Sequence, residues 1–241
     1  MSKAILFDLD GTLLPMDTGY FVEHYMKALA VKVAPIIEPK QFTKALWEAT
    51  HEVMTNTDPE RLNMEVFEEA FLRLTTLKKE QIWPVFDTFY AESFPDLVQH
   101  SQPSPVAQLV IKEAVEAGYK VAIATNPIFP KVAIEHRMKW AGVLDAPFAK
   151  VTVYEESHFT KPHLPYYQAI CDDIQVHPED CIMVGNDMQE DMIASQLGVK
   201  TYLVEGNVID RGEPQFPIND RGSLSDLLDK LKGREGIFSA D

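Results

Sequence analysis

Cysteine is scarce in this 241-residue chain: only Cys171 and Cys181 occur, with no Cys-x-x-Cys and no metal-type spacing between them. That usage rules out a disulfide scaffold and suits a reducing compartment. Basic residues are scarce as well, 22 Lys and Arg against 37 Asp and Glu, for a formal net charge of −15. Such an excess repels phosphate backbones and anionic lipid heads, so neither nucleic acid nor a membrane surface is expected as the main partner. Long apolar runs are missing too, with nothing approaching the roughly 20 residues that span a bilayer. Met1-Ser2-Lys3 leads into the apolar Ala4–Phe7, too short for a secretory leader and broken at once by acids, so a cytoplasmic protein is expected. What is present, 46% hydrophobic and 24% charged residues, is the composition of a globular enzyme-sized protein. Its length lies just below the roughly 250–300 residues at which one core splits, which leaves one large domain or a domain with a sizeable insertion.

Short continuous apolar runs at residues 4–7, 121–124, 151–154, 182–184 and 202–204 predict strands buried on both faces, as in a parallel sheet. Helix-like segments alternate with them at 105–117, 131–141, 165–173 and 187–197, and Gly118, Gly142 and Gly198 supply stops. This alternation predicts a parallel α/β sheet. Residues 15–100 differ, with helical stripes and no convincing strand. The stripes are Phe21, Tyr25, Leu29, Val33; Phe42, Leu46, Ala49, Val53; Phe67, Ala70, Phe71, Leu74; and Ile82, Val85, Phe86, Phe89. Asp58-Pro59 is expected to cap the third of these helices. The interval therefore reads as a small helical bundle inserted after the first strand. Ser101-Gln102-Pro103-Ser104-Pro105 suits a hinge back to the sheet. Residues 206–222 read as a long loop, the leucines at 224, 227, 228 and 231 as a closing helix, and 233–241 as a fraying tail.

Four polar clusters follow predicted strands, where open α/β sheets place their ligands. Asp8-Leu9-Asp10-Gly11-Thr12 puts two mutually repelling acids at one strand end, an arrangement most simply relieved by a bound cation. Thr125-Asn126-Pro127 offers a hydroxyl, an amide and turn N–H groups for phosphate oxygens. Lys161-Pro162 lies in a loop with His158 and His163. Gly185-Asn186-Asp187-Met188-Gln189-Glu190-Asp191 sets Asp187 and Asp191 four apart, on one face of an expected first helical turn. Singly, the last three are also ordinary turn, surface and capping residues.

Together and in this order, the four clusters resemble the haloacid dehalogenase (HAD) superfamily of phosphohydrolases. The likeness spans the chain, and the position of the helical insert resembles the cap of its C1 class. It implies a Rossmann-like three-layer α/β/α core (1–14 and 101–241), a helical cap (15–100) and magnesium (Mg2+) as cofactor. By the resemblance, Asp8 is the nucleophile that becomes an aspartyl-phosphate, and Asp10 is the acid and then the base. Asp8, the Asp10 carbonyl and Asp187 hold the metal. Thr125 and Asn126 bind the phosphoryl oxygens. Lys161 neutralises charge. Asn186 stands where many relatives carry the metal-binding acid. Asp187 is assigned here as ligand, with Asp191 behind it and Asn186 as a direct or water-mediated alternative.

Asp10 favours phosphoryl transfer over dehalogenation. A phosphonatase would need a cap lysine, of which Lys27, Lys32, Lys40 and Lys44 are available, and a sugar-phosphate mutase would use the same core chemistry. A receiver-type signalling domain shares the acids, Thr and Lys but fits the helical insert poorly. The expected function is hydrolysis of a small phosphorylated metabolite, with Asp17, Thr18 and Tyr20 as candidate specificity residues at the cap entrance.

Overall fold

In the computed structural model, which describes residues 3–239, a six-stranded sheet runs in the order β3-β2-β1-β4-β5-β6, every neighbouring pair parallel. The strands are β1 (Ala4–Phe7), β2 (Lys120–Ile123), β3 (Lys150–Val151), β4 (Cys181–Gly185), β5 (Lys200–Val204) and β6 (Asp220–Gly222). All four residues of β1 are fully buried, and the period-two alternation of a strand divides them. Ile5 and Phe7, with Val121, Ile123, Ile182 and Val184, face a layer built by α5 (Pro105–Glu116), α6 (Lys131–Trp140) and α8 (Leu224–Gly233). Ala4 and Leu6, with Ala122, Cys181 and Met183, face α7 (Leu164–Ile174) through Tyr166, Tyr167 and Ile170. The arrangement is a Rossmann-like α/β/α fold. Among the described residues, no helix is long and apolar enough to cross a membrane.

Between β1 and β2 stand α1 (Thr18–Val33), α2 (Pro39–Thr55), α3 (Asn63–Thr75) and α4 (Lys79–Thr88). The α1 and α2 stripes are buried at every expected position. Asp58-Pro59 does not cap α3: Asp58 closes a local turn by accepting from the Glu60 N–H (2.9 Å), and Glu65 instead reaches back to the Leu62 N–H (2.9 Å). The first donors of α3 go to the loop before α7, Asn63 N–H to Ser157 O (2.8 Å) and Met64 N–H to Tyr154 O (3.0 Å). The buried Asn63 amide adds bonds to Pro127 O and Phe159 O, tying the helical segment to the two loops that carry Asn126 and Lys161.

Three further expectations are corrected. Residues 187–197 do not form an α-helix: a turn covers 188–191, and a 3₁₀ segment follows at Met192–Leu197. The stretch 206–222 ends in β6, which escapes a hydrophobic pattern because Asp-Arg-Gly at a sheet edge needs no apolar side chains. The tail does not fray through 238, since Phe238 is buried on the α8 layer in a 3₁₀ turn at Gly236–Phe238. Its last two residues lie outside the described ones, as do Met1 and Ser2.

Candidate active site

β1, β2 and β4 are adjacent, so the segments leaving their carboxyl ends converge. Asp8 continues β1 and donates its N–H to Val184 O at 2.9 Å. The chain then turns tightly, with Gly11 N–H to Leu14 O and Leu14 N–H to Leu9 O, and Gly11 takes a φ of 82°. A side chain at Gly11 would be strained and would run into the Asn186 amide, so the glycine is needed for both conformation and close approach.

The Asp8 carboxylate is 7% exposed and held on both oxygens. Lys161 Nζ donates to Oδ1 at 2.9 Å, and the Thr12 hydroxyl lies 3.1 Å from Oδ2 and 3.0 Å from Asn186 Oδ1. Lys161, itself buried, also donates to Asp191 Oδ1 at 2.6 Å, and Asp191 Oδ2 accepts the Asp187 N–H at 3.0 Å. Burial works against the lysine's charge, but Asp191 and Asp8 outweigh it and hold the ammonium well above its ordinary pKa. Burial raises Asp191, with Lys161 opposing.

Asp10 pairs through Oδ2 with Arg137 Nη1, while its Oδ1 is buried and has no hydrogen-bond partner among the described residues. Burial raises its pKa, Arg137 opposes, and the Asp8 charge raises it further. Arg137 is 1% exposed, donates from Nε to Ala133 O, and lies 4.4 Å from the Phe129 ring centre. Sequence reasoning passed over Arg137, although a visible signal existed: the arginine lies on the buried stripe of α6 with Ala133, Ile134 and Met138.

The Thr125 carbonyl accepts from the Thr152 and Tyr166 hydroxyls at 2.7 and 2.8 Å, and its own hydroxyl makes no hydrogen bond to another described residue. Asn126 bridges elements, with Oδ1 accepting the Lys161 N–H and Nδ2 donating to Glu190, both at 3.3 Å. Asp187 departs most from expectation. Its Oδ1 accepts the Gln189 and Glu190 N–H groups, and Arg211 Nη1 lies 2.8 and 2.7 Å from its two oxygens. Asn186, rather than Asp187, sits against Thr12. Asp17, Thr18 and Tyr20 are spent elsewhere: Asp17 caps α1 by accepting the Tyr20 N–H, Thr18 begins that helix, and Tyr20 packs on His24 and His100. None of the three is hydrogen-bonded to the Asp8 cluster. Of the four lysines considered for phosphonatase chemistry, Lys27, Lys32 and Lys44 pair with Glu23, Glu92 and Glu48, and Lys40 is exposed.

Chemically, the site offers a buried carboxylate oriented by an ammonium and a hydroxyl, and two residues on a second carboxyl whose pKa burial raises. A family model described as haloacid dehalogenase-like hydrolase matches residues 2–198. The chain belongs to the haloacid dehalogenase-like hydrolases. Among its relatives in that family is the pyrophosphatase PpaX of Bacillus mycoides, 21% identical over 247 residues, covering 96% of this chain and 99% of the relative. A HAD phosphatase from Thermococcus onnurineus shares the fold with a TM-score of 0.60 at 22% identity, covering 96% of this chain and 98% of that one. L-2-haloacid dehalogenase from Xanthobacter autotrophicus, with chloropropionic acid covalently bound, gives 0.59 at 17% identity, covering 98% of this chain and 100% of that one. The HAD fold thus accommodates both phosphatases and dehalogenases, and the choice rests on the site.

Proposed function

We propose that this HAD hydrolase is a magnesium-dependent phosphomonoesterase acting on a small phosphorylated metabolite through an aspartyl-phosphate on Asp8. Asp10 carries the reading. A halide leaves without a proton, whereas an alkoxide leaving a phosphate ester needs one, and a buried carboxyl with a raised pKa next to the nucleophile supplies it. Asp8 attacks phosphorus while the bond to the leaving oxygen breaks and Asp10 delivers its proton. Water then attacks the phosphorus of the aspartyl-phosphate, Asp10 takes the water's proton, and inorganic phosphate departs with Asp8 restored. Lys161 balances charge on Asp8 and the phosphoryl group, and the Thr125 hydroxyl and the Asn126 amide orient its oxygens. Residues 15–100 serve as a cap that excludes water.

Among the described residues, no three His, Cys, Asp or Glu side chains converge as a ready metal cage. The donor chemistry nonetheless fits a hard cation. Among the described residues, the five carboxyls of Asp8, Asp10, Asp187, Glu190 and Asp191 pair with only three cations, Lys161, Arg137 and Arg211, and burial that raises Asp10, Glu190 and Asp191 marks a place short of positive charge. Asp8, the Asp10 carbonyl, and Asn186 or Asp187 would hold magnesium, which when bound offsets charge developing on the phosphoryl oxygens. Chelation is expected to abolish turnover and added magnesium to restore it.

The deciding experiment is turnover of p-nitrophenyl phosphate, followed by a panel of phosphorylated metabolites that includes inorganic pyrophosphate. The wild-type chain is expected to release many phosphates per molecule, and Asp8→Asn none, with its circular dichroism unchanged. Wild-type turnover by Asp8→Asn would refute the mechanism, and arrest after one phosphate per chain would make the protein a phosphoacceptor.

A further inference from the structure

A cavity of about 450 Å³ lies between the helical segment and the sheet domain. Its walls are unusually rich in rings. Trp47 comes from α2, Phe67 from α3, and Trp83 and Phe86 from α4, while Phe129 and Tyr154 come from loops after β2 and β3. The charged lining is acidic: Asp87, Glu135 and Glu155 against one base, Lys131. Two of the rings already attract cations, with Lys79 Nζ 5.6 Å from the centre of Trp83 and the Arg137 guanidinium 4.4 Å from that of Phe129. An aromatic face is electron-rich, and a desolvated ammonium over several such faces gains from each. The surplus of carboxylates adds to that attraction and repels a phosphate, so the phosphoryl group does not belong here.

We propose that this cavity is a binding site for an organic ammonium, quaternary or alkylated, whose apolar body fills the aromatic walls while its charge meets Asp87, Glu135 and Glu155. The site goes beyond the phosphatase reading and stands without it. It nevertheless shares a wall with the Asp8 cluster, because Phe129 carries the Arg137 that holds Asp10. A ligand in the cavity is therefore separated from that carboxyl by two side chains, Phe129 and Arg137.

Trp47 and Trp83 line the cavity and report on it by fluorescence, so binding is read without turnover. The probes are benzyltrimethylammonium and its uncharged carbon isostere, neopentylbenzene. The cation is expected to bind about tenfold more tightly than the isostere, the scale of a desolvated cation–π contact. Glu135→Gln, a half-buried side chain outside the catalytic machinery, is expected to weaken the cation about threefold, consistent with loss of one nearby charge, and to leave the isostere unchanged. Trp47→Leu, a substitution at a position 55% exposed, is expected to weaken the cation, with Trp83 still reporting. Asp8→Asn is expected to bind the cation as the wild type does, which separates this result from the phosphatase assay. Equal affinity for the two probes, or no binding of either at millimolar concentration, would overturn the proposal.

Discussion

Asp10 and Arg137 form a largely buried pair in which the guanidinium restrains the acid. Burial lifts the Asp10 pKa, Asp8 adds to the lift, and Arg137 restrains it. The acid is active when protonated, so turnover of an alkyl phosphate is expected to fall as pH rises through that raised pKa. Removing the restraint by Arg137→Met should raise it further and move the alkaline limb of kcat/KM upward. A downward move or no move would show that Arg137 does not set the acid. Little shift is expected with p-nitrophenyl phosphate, whose leaving group needs no proton. The same substitution breaks a buried ion pair and should cost about 3–5 kcal/mol in chemical denaturation. Asp8 and Asp10 were legible in the sequence because they directly follow a short apolar strand, whereas Lys161 gained its meaning only from the order of the four clusters and the family they resemble. Arg137 and Arg211 were not, because their meaning depends on partners 127 and 24 positions away. The cysteines, too, show no spacing signal, yet their sulfurs lie 3.7 Å apart.

Among the elements, the end of β4 is the most tightly constrained. A side chain at Gly185 would collide with the Asp191 carboxylate and thus with the partner of Lys161. Gly185→Ala is expected to destabilise the fold by about 1–3 kcal/mol through overpacking and to lower kcat more than it raises KM, readable by thermal melts and kinetics. The loop before β6 brings Arg211 onto Asp187 from a half-exposed position. If Asp187 binds the metal, that arginine competes with it, and Arg211→Gln should lower the magnesium concentration for half-maximal activity by up to roughly fivefold, or about 1 kcal/mol. Buried strands and two-turn apolar stripes were readable element by element. The helix expected at 187–197 was not realised, because Asp187 turns back to accept the N–H groups of Gln189 and Glu190 instead of opening a regular helix.

Across the whole molecule, a continuous apolar cluster runs from Ile5 and Phe7 in the sheet through Phe21 and Tyr25 of α1 to Phe42, Phe71 and Phe86. The stacked Phe94–Trp140 pair, 5.4 Å apart, joins the end of the helical segment to α6. With a common core, the two parts are expected to unfold together. Fluorescence of Trp47, Trp83 and Trp140 should follow the same denaturation curve as far-ultraviolet circular dichroism, and two separated transitions would contradict it. The alternation of strands and helices announced the sheet domain in advance. The sequence could not show that the helical segment and the sheet share one core, because stripes reveal a buried face and not what covers it.

The strand order has a consequence for how this chain is made. β1 occupies the centre of the sheet, yet one of its two neighbours is Cys181–Gly185. During synthesis at roughly 5–20 residues per second, the Ala4–Phe7 strand waits roughly ten to thirty-five seconds for that partner to be translated. For that interval an entirely apolar strand has an open edge in the nascent chain, a liability that falls on the ribosome-bound protein and never on the finished enzyme.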